Sequence, residues 1–209
     1  STHSEAVSHK PADRAPRQRC IGMDSGTTLQ WLLGDYGLFI DRLKLHLGGL
    51  GDNLEIDHLC YRVETVEEYS EYRSALSSLG TLLTESTVGG RPICIFELAQ
   101  PIVHEQHTVR CIELPSPKKG SPYSRGLEHA EVVIGDASDG CTNNRAQLEA
   151  FIGMHPGLAF DKRGIDKQVN ADCSLSFQDG IFGLISVKFH VRPIYEVVAF
   201  ELQSGIAAD

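Results

Sequence analysis

Four side chains of metal-ligating type fall on strand-like segments: His58, Glu113, His129 and His190. Imidazole and carboxylate suit one borderline divalent ion such as Zn, Ni, Co or Fe(II), whereas Ca or Mg asks for more oxygens. Their placement makes them a set. Two acid-histidine pairs, Asp57-His58 and Glu128-His129, each open a strand, and Glu113 and His190 lie on the last strands of the two blocks those pairs begin. Four such ligands leave an octahedral ion two positions for water or substrate, but close a tetrahedral zinc into a structural site. Side chains alternate across a strand, so His58 brings Cys60 and Arg62 to its face, Glu113 brings Cys111, His129 brings Glu131 and His190 brings Lys188. An ion flanked by Arg62 and Lys188 suits an anionic substrate, with Glu131 as the carboxylate that moves a proton. The same count turns Asp57 and Glu128 away from their histidines. A plainer reading stands beside each residue. A lone strand histidine is usually hydrogen-bonded, Arg62 and Lys188 suit a solvated strand face, and Glu131 suits an ion pair with one of them. His46, His104, His107 and His155 have no symmetric partners and read as surface or loop residues.

The elements that must position these groups follow from periodicity. Leu29, Leu32, Leu33, Tyr36, Phe39, Ile40, Leu43 and Leu47 recur at three and four, which predicts one amphipathic helix over 28–47, ended by Gly48, Gly49 and Gly51. A strand follows at 57–63, a helix at 66–79, and strands at 81–87, 91–98 and 107–114. The order then repeats: a strand at 127–134, a helix at 143–153, and weaker strand runs near 167–170, 171–178 and 182–191. The two acid-histidine pairs stand 71 residues apart, about one such module. The expected fold is therefore α+β: tandem βαβββ modules over 51–118 and 119–192, between an N-terminal helix at 28–50 and a C-terminal helix and tail at 193–209. Pro193 starts that last helix, and residues 1–27 read as a disordered leader.

These residues resemble the vicinal oxygen chelate superfamily, which includes glyoxalase I and the extradiol dioxygenases. Within it the segments Gly90-Arg-Pro-Ile-Cys-Ile-Phe96, Ile112-Glu-Leu-Pro115, Gly126-Leu-Glu-His-Ala-Glu131 and Val187-Lys-Phe-His190 resemble the bacterial YecM family, and the likeness runs from Leu29 to Leu202. The resemblance implies a U-shaped half-barrel of paired modules with one divalent metal at its open face. It carries His58 onto the first-strand histidine, Glu113 onto the fourth-strand glutamate and His129 onto the fifth-strand histidine. The eighth-strand ligand is usually glutamate, and His190 stands there, which removes a charge and the carboxylate that glyoxalases use as proton carrier. Superfamily members often pair as homodimers, although one chain with both modules can form the half-barrel alone.

Composition narrows the partners. With 28 acidic against 19 basic residues the formal charge is −9, which repels nucleic acid and anionic membrane. No apolar run reaches the roughly 20 residues of a membrane span. Six cysteines without a C-x-x-C pair point to reduced thiols and a cytoplasmic protein, with an organelle signal in the leader as the alternative. Three functions fit: a metal-dependent lyase or isomerase acting on a small anionic molecule with adjacent oxygens, an Fe(II) dioxygenase, and a non-catalytic metal or ligand binder.

Overall fold

The computed structural model describes residues 24–51, 54–120 and 123–206. Among them five α-helices and seven strands form an α+β fold on one open mixed sheet. Nearly all of the expected leader lies outside the described residues. Its last part does not, because α1 (Ser25–Leu33) already begins at Ser25, capped by the Asp24 carboxylate on the Thr27 N–H. The single helix expected over 28–47 is two. Gly34, at φ 80°, closes α1 on Gln30, and Asp35 restarts the chain as cap of α2 (Tyr36–Leu47) by accepting the Leu38 N–H. Periodicity ran across the break because both helices bury the same apolar set, Leu29, Leu32 and Leu33 with Phe39, Ile40 and Leu43.

A 3-10 turn (Gly48–Gly51) leads to the first module: β1 (Glu55–Arg62), α3 (Val66–Leu76), β2 (Gly80–Val88), β3 (Arg91–His104) and β4 (His107–Pro115). The second contains β5 (Gly126–Val133), α4 (Arg145–Met154), β6 (Asp172–Asp179) and β7 (Gly183–His190), and α5 (Ile194–Ser204) follows. The sheet order is β2-β3-β4-β1-β5-β7-β6, with β1 parallel to β4, β5 parallel to β7, and the modules joined by antiparallel β1 and β5. The second module has two strands after its helix where three were expected. The run near 167–170 makes only a bridge from Val169 to Thr142, and Asn170 there takes a positive φ of 50°. The missing edge strand survives as one bridge from Asp161 to Ser174, in a stretch broken by Pro156, Gly157 and Gly164.

Alternation sorts the strands onto two faces. Leu59, Tyr61, Ile112, Leu114, Ala130, Val132, Val187 and Phe189 point to one face and enter the main core under the helices. Phe189, fully buried, packs against Phe151 at 5.0 Å and Phe160 at 5.7 Å between ring centroids, a burial that stabilises by about 1.5–3 kcal/mol. The other face carries the polar candidates, together with a second apolar cluster of Ile95, Cys111 and Val169 beneath Ile194, Val197 and Val198 of α5. The C-terminal helix thus covers part of the face that holds the candidate site. Cys60, Cys94, Cys111 and Cys173 are buried free thiols, and Cys141 is free and half-buried.

Candidate metal centre

The antiparallel seam sets the geometry. His58 pairs with Glu131 and Cys60 with His129, so a local two-fold through Leu59 and Ala130 exchanges the two histidines. The register skips Asp57 on β1 and Glu128 on β5, leaving each as the extra residue of a bulge. This corrects the alternation count. A bulge residue is freed from strict alternation, and both acids turn toward their own histidines: Asp57 Oδ2 lies 2.9 Å from His58 Nδ1, and Glu128 Oε1 lies 3.4 Å from His129 Nδ1. Each ring is oriented through Nδ1 and presents Nε2 to the face beyond.

Those two Nε2 atoms meet two carboxylates. His58 Nε2 is 3.7 Å from Glu113 Oε2 and 3.6 Å from Glu131 Oε1, while His129 Nε2 is 3.9 Å from Glu113 Oε1 and 3.4 Å from Glu131 Oε1. The four ligand atoms all lie within 4.8 Å of one another. These separations are longer than ordinary hydrogen bonds, and both Nε2 atoms are buried without a well-aligned hydrogen-bond partner. Ligands about 2.1 Å from a common ion stand roughly 3–4 Å apart, so the donor set and spacing fit a divalent cation.

His190, expected as the fourth member, is elsewhere. Its Nδ1 lies 3.0 Å from Asn170 Oδ1 and its Nε2 3.5 Å from Asp57 Oδ2, and its ring stands edge-on to His58 at 6.2 Å between centroids. The reason is register. In the parallel pairs Cys60 lies beside Glu113 and Glu131 beside Lys188, so the β7 residue matching Glu113 is Lys188, two short of His190. Glu131, expected as a base, stands in the ligand group. The sequence signal for it was the His129-Ala-Glu131 spacing, which puts two donors on one strand face.

Arg62, expected to hold substrate, binds Glu128 through Nε and through Nη2 at 2.9 Å, and its guanidinium lies over the Tyr123 ring at 4.6 Å. It therefore fixes the acid behind His129. Lys188 Nζ bonds Glu131 Oε1 at 2.7 Å with its side chain 34% exposed, against 13% for Glu113 and 6% for Glu131. On the other side the Asp57 carboxylate also accepts the Ile194 N–H at 2.9 Å, which ties the first turn of α5 to the oxygen beside His58.

Charge is tightly balanced here. Burial opposes ionisation of both carboxylates, yet His58, Lys188 and His129 hold Glu113, and Lys188 and His58 hold Glu131, well below the usual carboxylate range. Burial likewise opposes charge on His58, but Glu131, Asp57 and Glu113 raise it well above the ordinary histidine value. Glu128 is half-buried, which opposes its charge, but its bonds to His129 and Arg62 bring it down to about 2. The paired carboxylates favour a positive charge beside them, whether on His58 and Lys188 or on an ion.

Comparison with known proteins places the chain. A family model described as YecM protein matches residues 28–201. The chain is 28% identical over 180 residues to Protein YecM of Escherichia coli, covering 83% of this chain and 94% of that protein. An uncharacterized protein of Haemophilus influenzae is 36% identical over 151 residues, 70% of this chain and 79% of that one. A solved structure described as Structural Genomics, Protein EC4020 superposes with a TM-score of 0.61 at 26% identity, covering 93% of this chain and 100% of that one.

Proposed function

The chain belongs to the YecM family, and on that premise we propose that it is a divalent-metal-dependent enzyme of lyase or isomerase type, acting on a small anionic molecule with adjacent oxygens. The observation that carries this reading is the convergence of His58, Glu113, His129 and Glu131, with both histidine Nε2 atoms buried and unpartnered. A divalent ion held by these residues would supply Lewis acidity toward oxygens of a bound molecule. The chain's own groups do the rest. Asp57 and Glu128 fix the imidazoles, α5 keeps water from one flank, and Lys188 on the exposed side meets an anion. Tandem modules joined at β1 and β5, with a histidine from each at the seam, support the vicinal oxygen chelate arrangement.

One observation favours a second reading. Glu131 is already engaged by Lys188 at 2.7 Å, and if it stays so, His58, His129 and Glu113 remain as two histidines and one carboxylate, a set suited to Fe(II) and dioxygen. Elemental analysis of protein purified without chelator tests both. Stoichiometric metal is expected in the wild type and strongly reduced metal in His58→Ala and His129→Ala. Iron as the resident ion favours the second reading, Zn, Ni or Co the first, and unchanged metal in both variants overturns the centre.

A further inference from the structure

Lys188 is the local two-fold mate of Glu113. Cys60 and Glu131 exchange under the relation that exchanges the histidines, and their parallel neighbours are Glu113 and Lys188. Where the first module sets a carboxylate against the histidine pair, the second sets an ammonium, and its carboxylate comes from Glu131 on the neighbouring strand. Among the described residues Lys188 is the one lysine or arginine paired with a member of the four-residue group. It is also the most solvent-exposed of the groups at the site, so a molecule entering from solvent meets it. An ammonium has three donors, and the bond to Glu131 takes one.

Resting on the metal-centre reading above, we propose that Lys188 makes the site selective for a ligand bearing its own carboxylate beside a second oxygen, a 2-hydroxy or 2-oxo acid. That carboxylate takes the corner that Glu113 fills in the other module. An anion placed beside Glu113 and Glu131 without a counter-charge is repelled, and Lys188 offsets this, whereas a neutral molecule with the same two oxygens gains nothing from it.

The experiment uses Zn-loaded full-length protein and calorimetric titration with two probes of one shape: glycolate, which carries the carboxylate, and hydroxyacetone, which does not. The wild type is expected to prefer glycolate by about ten- to a hundredfold, the range for one charge-assisted bond. In zinc-loaded protein Lys188→Met should abolish that preference by weakening glycolate while hydroxyacetone still binds, and Lys188→Arg should restore most of it. Lys188→Glu, which gives the second module its mate's carboxylate, should hold zinc more tightly and reject glycolate. A wild type that takes up no zinc overturns the metal centre and this role with it. Zinc-loaded Lys188→Met that binds glycolate as tightly as the wild type overturns the role of Lys188 alone.

Discussion

Set side by side across the β1–β5 seam, the two modules agree where a donor must be aimed and disagree where charge must be chosen. His58 and His129 are two-fold mates, and so are the bulged acids behind them, Asp57 and Glu128. Their neighbours differ. Cys60 matches Glu131 and Glu113 matches Lys188, so the first module gives its carboxylate from β4 and the second from β5. The backing is unequal too. Asp57 reaches its histidine at 2.9 Å and is shared with α5, whereas Glu128 stands at 3.4 Å and is gripped by Arg62. A shared frame thus fixes direction, and the residues that differ on it set the charge at each corner.

The largest expected effect lies on the helix face, where Leu114 and Phe189 are mates in the same register. Phe189→Ala should cost about 3–5 kcal/mol, and Leu114→Ala about 2–5 kcal/mol toward the lower end, because Phe189 alone stands within an aromatic group. Urea unfolding measures both, and a larger loss at Leu114 would reverse the order given to the two mates.

Next come the acids behind the histidines. Asp57→Asn should weaken zinc by roughly 10–100-fold in competition with a chelating dye, the range for the partner of a ligating histidine. Glu128→Gln should weaken it less, because its contact is longer. Equal losses would show that the two backings are equivalent despite their geometry.

The smallest effect concerns how α2 grips the two hairpins. Asp41 and Lys44 meet His104 and Glu105 at the exposed β3–β4 turn, while Arg42 and His46 meet Asp179, whose side chain is buried, at the β6–β7 turn. The Ile181 and Phe182 N–H groups also donate to Asp179, and these bonds, the Phe182 one foremost, hold its carboxyl below the usual range. A pKa lowered on folding contributes stability above the unfolded value, about 3.9, and loses it as pH falls through the folded one. Asp179→Asn should therefore lower Tm more than Asp41→Asn at pH near 7, and its deficit should shrink as the pH drops below about 4. A deficit independent of pH would assign the role of Asp179 to packing.

How much of this was legible follows from what periodicity can carry. The α+β order and the first module could be read because most of its elements keep one period and Gly80, Gly89-Gly90 and Pro115 punctuate them. The break at Gly34 was hidden by a shared buried face, and the lost strand of the second module by a run that forms only bridges. Of the candidate group, symmetry of placement picks out His58, Glu113 and His129. Symmetry of placement puts His190 in the same set, but partner registry on β7 depends on loop length between strands, which alternation within a strand does not report. The bulges at Asp57 and Glu128 were equally silent, since a bulge is a property of the pair of strands.

One oxygen, finally, belongs to two structures at once. Asp57 Oδ2 receives the first N–H of α5 and faces the Nδ1 of His58, with His190 behind it. On the metal-centre reading proposed above, docking of the helix and loading of an ion share one equilibrium, and linkage makes the influence mutual. What loosens α5 should lower the affinity of the centre, and an ion bound there should make the far end of the chain harder to peel away.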